Sequence, residues 1–213
     1  MHRIHALTNT FSGVAGEARV AAELVRCGFL IAKPYWTDDE ADLILLDRRY
    51  GQSYSVIPVV IQVKSVQFLP NKRQELPSHR FIKGLRKRYV LNSPAFALAI
   101  YRVDQDEIFF IHGQDNVRSV YEAQSSWNSK HVPFDALKPE ENVRIAVDFN
   151  EGIPGEWKVP RFDASWLSTR IHDMVETVMG DKRDGDEAVQ GLWNTLPTDQ
   201  ELDEDSDDAQ QID

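Results

Sequence analysis

Val59-Val60-Ile61-Gln62-Val63-Lys64-Ser65-Val66 is the stretch on which the reading of this chain turns. β-Branched residues fill it almost without a break, as in a strand covered on both faces, yet an amide and an ammonium stand two positions apart. Residues i and i+2 of a strand face the same side, so Gln62 and Lys64 point together. Desolvating an unpaired polar group costs roughly 2 to 7 kcal/mol, and a lone charge more, so a buried pair needs an anionic partner or a metal-bound ligand. Spacing alone leaves a second reading open, in which Gln62 and Lys64 lie on the solvent face of a half-buried edge strand.

Upstream, residues 29–36 and 41–47 read as two strands, with Asp42 at the start of the second and Ile44 and Leu46 on its side. The acidic turn Asp38-Asp39-Glu40 reads as a solvated loop, as does Asp47, and residues 48–55 as a hairpin returning to the central stretch. Taken singly, Asp42 also fits a turn cap. Residues 12–27 read as the first helix, with Ser12 as N-cap and Gly28 as the stop. Glu17 falls in its apolar stripe with Val20, Ala21 and Leu24, where a carboxylate needs a cation nearby or pairs with a neighbouring Arg. Arg19, Glu23 and Arg26 share the opposite face, and Glu23 needs no explanation beyond solvation.

Downstream, residues 70–78 read as a loop and 79–91 as a helix, since Phe81, Leu85 and Tyr89 recur at helical spacing. Strands are expected at 95–103, 107–112 and 143–149, and a short helix at 113–123. Residues 162–179 read as the last helix, capped by Asp163 and striped by Trp166, Leu167, Ile171, Met174, Val175 and Val178. The segment Lys72 to Arg88 carries Lys72, Arg73, Arg80, Lys83, Arg86, Lys87 and Arg88 against one acid, Glu75. Such density suits a phosphate-contacting surface, with Arg80, Lys83 and Lys87 on one helical face; an ordinary solvated helix face fits as well.

The whole chain, 213 residues with a formal charge of −10, suits one domain with appendages. Residues 181–213 hold 12 acidic and 2 basic residues, whereas residues 1–180 carry 22 of each sign and are neutral. The expected organisation is therefore a domain over 1–180 and an acidic, disordered tail over 181–213, with a short docking patch at 189–193. A single cysteine, Cys27, excludes a disulfide framework and fits a reducing compartment, and cytoplasmic is the expected location. No apolar run approaches the roughly 18 residues of a membrane span. The six histidines show no zinc-site spacing, and no Gly-rich phosphate loop occurs.

The order helix, strand, strand, strand, helix, strand, with Glu17 on the first helix, Asp42 on the second strand, and Gln62 and Lys64 on the third, resembles the PD-(D/E)XK nuclease superfamily. Gln62-Val63-Lys64 is similar to the QXK variant of its Mrr-like restriction endonucleases. Gly16-Glu17, Asp42 and Gln62-Val63-Lys64-Ser65 also resemble a poorly characterised group of bacterial domains in that superfamily. The match covers roughly residues 12–112. It implies an α/β, restriction-endonuclease-like fold: a mixed central sheet flanked by helices.

It further implies Mg²⁺- or Mn²⁺-dependent endonuclease activity, on DNA before RNA, in a restriction, phage-defence or mobile-element setting. Asp42 would be the principal metal ligand, with the Gln62 side-chain oxygen, the Val63 carbonyl and Glu17 completing the set. Lys64 would orient the attacking water or stabilise developing charge. Gln62 in place of the usual acid removes one negative charge and weakens metal affinity. A homodimer and an ATP-driven partner protein fit the same setting. Two rivals stand beside it: a silent nuclease-like fold that binds nucleic acid or protein, and an interaction subunit recruiting a motor through the last helix and tail.

Overall fold

A computed structural model describes residues 2–34, 41–46, 59–71, 73–126, 131–160 and 163–183, of which 2–10, 46, 126 and 179–183 as backbone alone. The chain divides into two units, Met1–Val175 and Glu176–Asp213. In chain order the regular elements are α1 (His2–Arg26), β1 (Leu30–Ala32), β2 (Leu43–Leu46), β3 (Val59–Val66) and β4 (His79–Phe81). There follow α2 (Lys87–Leu91), β5 (Phe96–Arg102), β6 (Glu107–His112), α3 (Gln114–Glu122), β7 (Ala146–Asp148) and α4 (Ala164–Arg183). A five-stranded sheet runs β1-β2-β3-β5-β6, and β4 pairs with β7 in a separate ribbon. The fold is mixed α/β: β3 is antiparallel to β2 and parallel to β5, and the other neighbours are antiparallel.

β3 is thus an interior strand with different company on its two faces. On one face Val60, Gln62, Lys64 and Val66 align with Phe96, Leu98, Ile100 and Arg102 of β5. Phe96, Leu98 and Ile100 are fully buried there, in a core shared with Ile82, Leu85, Val90, Phe109, Ile111, Val117 and Ile145. On the other face Ile61, Val63 and Ser65 align with Ala97, Ala99 and Tyr101. The alternation Phe-Ala-Leu-Ala-Ile in β5 leaves shallow alanines under α1, so the helix comes close to the sheet. Gly16 marks the contact: a Cβ there would lie 2.1 Å from Ser65 Oγ, and that hydroxyl donates to the Ser12 carbonyl at 2.8 Å.

Several boundaries differ from the sequence reading. α1 begins at His2, so Ser12 lies inside it; no proline precedes Ser12 to stop the helix. It ends as expected, with Gly28 at φ 88° donating to the Val25 carbonyl at 2.9 Å. The expected helix over 79–91 is instead β4, a turn and the five-residue α2. Gly84 at φ 74° breaks the helix, and β7 takes the backbone of 79–81 in the register His79↔Asp148, Arg80↔Val147, Phe81↔Ala146. Arg80, Lys83 and Lys87 therefore share no helical face.

Glu23, read as solvated, is 6% exposed and held between Arg19, at 2.9 Å, and Arg26. Asp163 caps α4 as expected, accepting the Trp166 N–H at 3.0 Å, and Leu167, Ile171, Met174 and Val175 are buried. The expected strands at 29–36 and 143–149 are shorter, as β1 and β7. The hairpin over 48–55, the acids Asp38, Asp39, Glu40 and Asp47, Lys72, and the tail with its 189–193 patch lie outside the described residues. Among the described residues no helix is long and apolar enough to cross a membrane.

Candidate functional site

Asp42 stands one residue before β2, and its N–H donates to the Ile61 carbonyl at 3.0 Å. Leu43 already pairs with Ile61, so Asp42 and Leu43 both stand opposite that one residue, as in a β-bulge at the start of β2. The bulge turns the Asp42 carboxylate toward the next two residues of β3, Gln62 and Val63. The Gln62 amide nitrogen donates to Asp42 Oδ2, and the Val63 N–H donates to the same oxygen at 2.6 Å. Lys64 follows two residues along, and the turn carrying Gly84 passes over it, with a Cβ on Gly84 placed 3.8 Å from Nζ. Asp42, Gln62 and Lys64 thus converge on one side of an interior strand, and the edge-strand reading does not describe β3.

Gln62 is the unusual member. It is 1% exposed, and among the described residues no donor reaches its Oε1. The amide cannot simply be turned over, because the Asp42 carboxylate draws the NH₂ end and would repel the oxygen. A buried carbonyl oxygen without a donor is a standing desolvation cost.

Burial also pushes the Asp42 carboxyl above the ordinary carboxylate range. The Val63 N–H, the Lys64 ammonium and the Gln62 amide act against that rise, and Glu17 adds to it. Glu17 belongs to α1, and Lys33, just past β1, is its partner at 2.6 Å. This is the cation that a carboxylate in the apolar stripe requires. The Lys33 ammonium is held above its usual pKa, first by the hydrogen bond to Glu17, and the charge of Asp42 adds to that. Glu17 joins the cluster through its field on Asp42 and through Lys33.

Most of the basic segment is engaged in internal contacts. Arg86 and Arg88 reach Glu140 at 3.3 and 3.4 Å, and Lys87 donates to the Asp135 and Leu137 carbonyls at 3.1 and 2.9 Å. Arg80 donates to the Leu69 carbonyl at 3.1 Å, and Arg73 is exposed in the turn that follows Asn71. Lys83 is exposed and precedes Gly84, the glycine that passes over Lys64. Among the described residues no group of three or more His, Cys, Asp and Glu side chains is placed to hold a metal ion. An ion at Asp42 would therefore draw on amide and carbonyl oxygens as well.

Two charged features were missed in the sequence. Lys33 could have been sought from the cation that Glu17 demanded, though nothing in the spacing chose it. Glu23, with Arg19 and Arg26, lines a cleft of about 310 Å³ that also contains Asp106, Glu107 and Lys158. Arg19 bridges Glu23 and Asp106, and Lys158 pairs with Glu107, so the charges there are already matched. A larger cleft of about 600 Å³, lined by His79, Gln124, Asp148, Gly152 and Trp157 among others, contains none of the site residues.

No protein-family model and no curated protein matches the sequence. Among solved structures the chain is similar to a bacterial homing endonuclease, I-Ssp6803I, at 11% identity and a TM-score of 0.30. That similarity covers 48% of this chain and 68% of the other.

Proposed function

We propose that the chain is a metal-dependent nuclease acting on DNA in preference to RNA, in a restriction, phage-defence or mobile-element setting. The observation behind this reading is the buried Gln62 Oε1 with no donor, set beside the Asp42 carboxylate and the Lys64 ammonium on one face of β3. Hard oxygen donors suit Mg²⁺ or Mn²⁺, which keep several waters and need few protein ligands. Asp42, the Gln62 oxygen, the Val63 carbonyl and Glu17 would hold the ion. The ion, when bound, supplies an acidified water and a counter-charge for the phosphate.

The remaining work falls to the chain's own side chains. A carboxylate draws the NH₂ end of the Gln62 amide, whereas a cation on that carboxylate would draw Oε1, so the amide can serve either state. Lys64, beside Asp42, offers an ammonium to the developing charge or orients the attacking water. Lys83, exposed on the Gly84 turn, would offer a further ammonium to the nucleic-acid backbone.

The test is cleavage of linear and supercoiled DNA, and of RNA, in Mg²⁺ or Mn²⁺, comparing wild type with Asp42→Ala and Lys64→Ala. Loss of at least about 100-fold in rate in both variants supports the reading, the scale expected for groups that act on the reacting phosphate. Equal cleavage by the three proteins would sink it.

A second reading has an observation of its own. Among the described residues Lys33 and Lys64 balance Glu17 and Asp42, so these four side chains are neutral together without an ion. A silent nuclease-like module, binding nucleic acid or serving a larger complex, fits that balance. It predicts DNA retention with no cleavage and no effect of Asp42→Ala.

A further inference from the structure

Lys33 was not sought in the sequence, and its position raises a question that the nuclease reading leaves open. Its ammonium lies 2.6 Å from Glu17 Oε2, on an acid assigned to the ion. The two partners differ in freedom: the Lys33 side chain is 70% exposed, and that of Glu17 only 24%. β1 places Lys33 there by register, since Ala32 pairs with Ile44, two residues from Asp42.

We propose that Lys33 is a built-in competitor of the divalent ion: its ammonium neutralises Glu17 while the cluster holds no ion, and gives up the carboxylate when one enters. The proposal rests on the nuclease reading and adds a positioning residue to it. An oxygen that ligates Mg²⁺ at about 2.1 Å cannot keep an ammonium in hydrogen-bond contact without setting two cations against each other. Lys33 is the member that can move, because its long stem already lies in solvent. Gln62 makes the exchange matter. With a neutral amide where an acid could stand, Glu17 and Asp42 are the carboxylates of the cluster among the described residues, and a resident lysine cancels one of them.

Exposed ion pairs are weak, so the competition is modest and sets how much ion the protein needs. Removing Lys33 should tighten binding of the ion about two- to fivefold. The exposed Lys138 lies outside the cluster, so Lys138→Ala controls for the loss of one positive charge from the whole molecule.

The experiment is Mn²⁺ binding to the full chain, read as loss of the free-ion electron paramagnetic resonance signal. Wild type is compared with Lys33→Ala, Lys138→Ala, Glu17→Gln and the Glu17→Gln, Lys33→Ala double variant. The expected result is tighter binding by Lys33→Ala, none of the gain in Lys138→Ala, and a gain that vanishes in the Glu17→Gln background. Wild-type binding with no gain in Lys33→Ala beyond Lys138→Ala overturns the competition and leaves the nuclease reading standing, as does a gain that persists without Glu17. No saturable Mn²⁺ binding by wild type and Lys33→Ala overturns both.

Discussion

Asp42 is a carboxylate that the fold makes uncomfortable. Burial raises its pKa above the ordinary 3.8, and the bonds from Val63 and Gln62 and the charge of Lys64 only partly offset the rise. Between the ordinary value and the raised one, the native protein keeps a proton that the unfolded chain has lost. Stability therefore falls as pH rises through that window, and the deficit stays constant above it. Asp42→Asn removes the titration while keeping an acceptor for the Val63 N–H. In a chelating buffer, urea unfolding at about pH 4 and about pH 7 should show the Asp42→Asn protein gaining stability relative to wild type as pH rises. A difference that does not drift with pH, or drifts the other way, would show that Val63, Lys64 and Gln62 outweigh burial.

At the scale of elements, the approach of α1 to the sheet is set by Gly16 and Ser65. A glycine inside a helix costs about 1 kcal/mol relative to alanine, so its use needs a reason, and the 2.1 Å approach to Ser65 Oγ supplies one. Gly16→Ala would force that hydroxyl off the Ser12 carbonyl, losing about 1 kcal/mol of hydrogen bond and offsetting the helical gain. In wild type the substitution should be near neutral, whereas in a Ser65→Ala background it should stabilise by up to about 1 kcal/mol. Chemical denaturation of the four proteins measures this, and simple additivity would refute the contact. The same elements show what a sequence can tell. The period of two put Gln62 and Lys64 on one face, and the three-strand order put Asp42 near them, because register follows from pairing neighbours. Lys33 stayed hidden because its partner lies on another element, and Glu23 because its burial depends on what packs beside α1. The spacing of Phe81, Leu85 and Tyr89 suggested a helix, while Gly84 in its midst was the signal against one.

For the whole molecule, charge is the property that sequence and structure divide between them. Residues 184–213, beyond the described chain, hold 11 acidic and no basic residues, whereas 1–183 carry 24 basic and 23 acidic. If the body binds nucleic acid as proposed, a polyanion tethered to it would compete for the same cations, of which the exposed Lys83 is one. Deleting 184–213, which keeps α4 to Arg183, should raise affinity for a DNA duplex about three- to tenfold at roughly 50 mM salt. The gain should shrink as salt rises, since the screening length falls from about 10 Å at 0.1 M to about 3 Å at 1 M. A peptide of residues 184–213 added to the shortened protein separates two causes: competition for the cations restores weak binding, whereas simple loss of net negative charge does not respond to the peptide. Identical affinity of full and shortened chains at every salt concentration would mean that the acids of the tail never meet the basic surface.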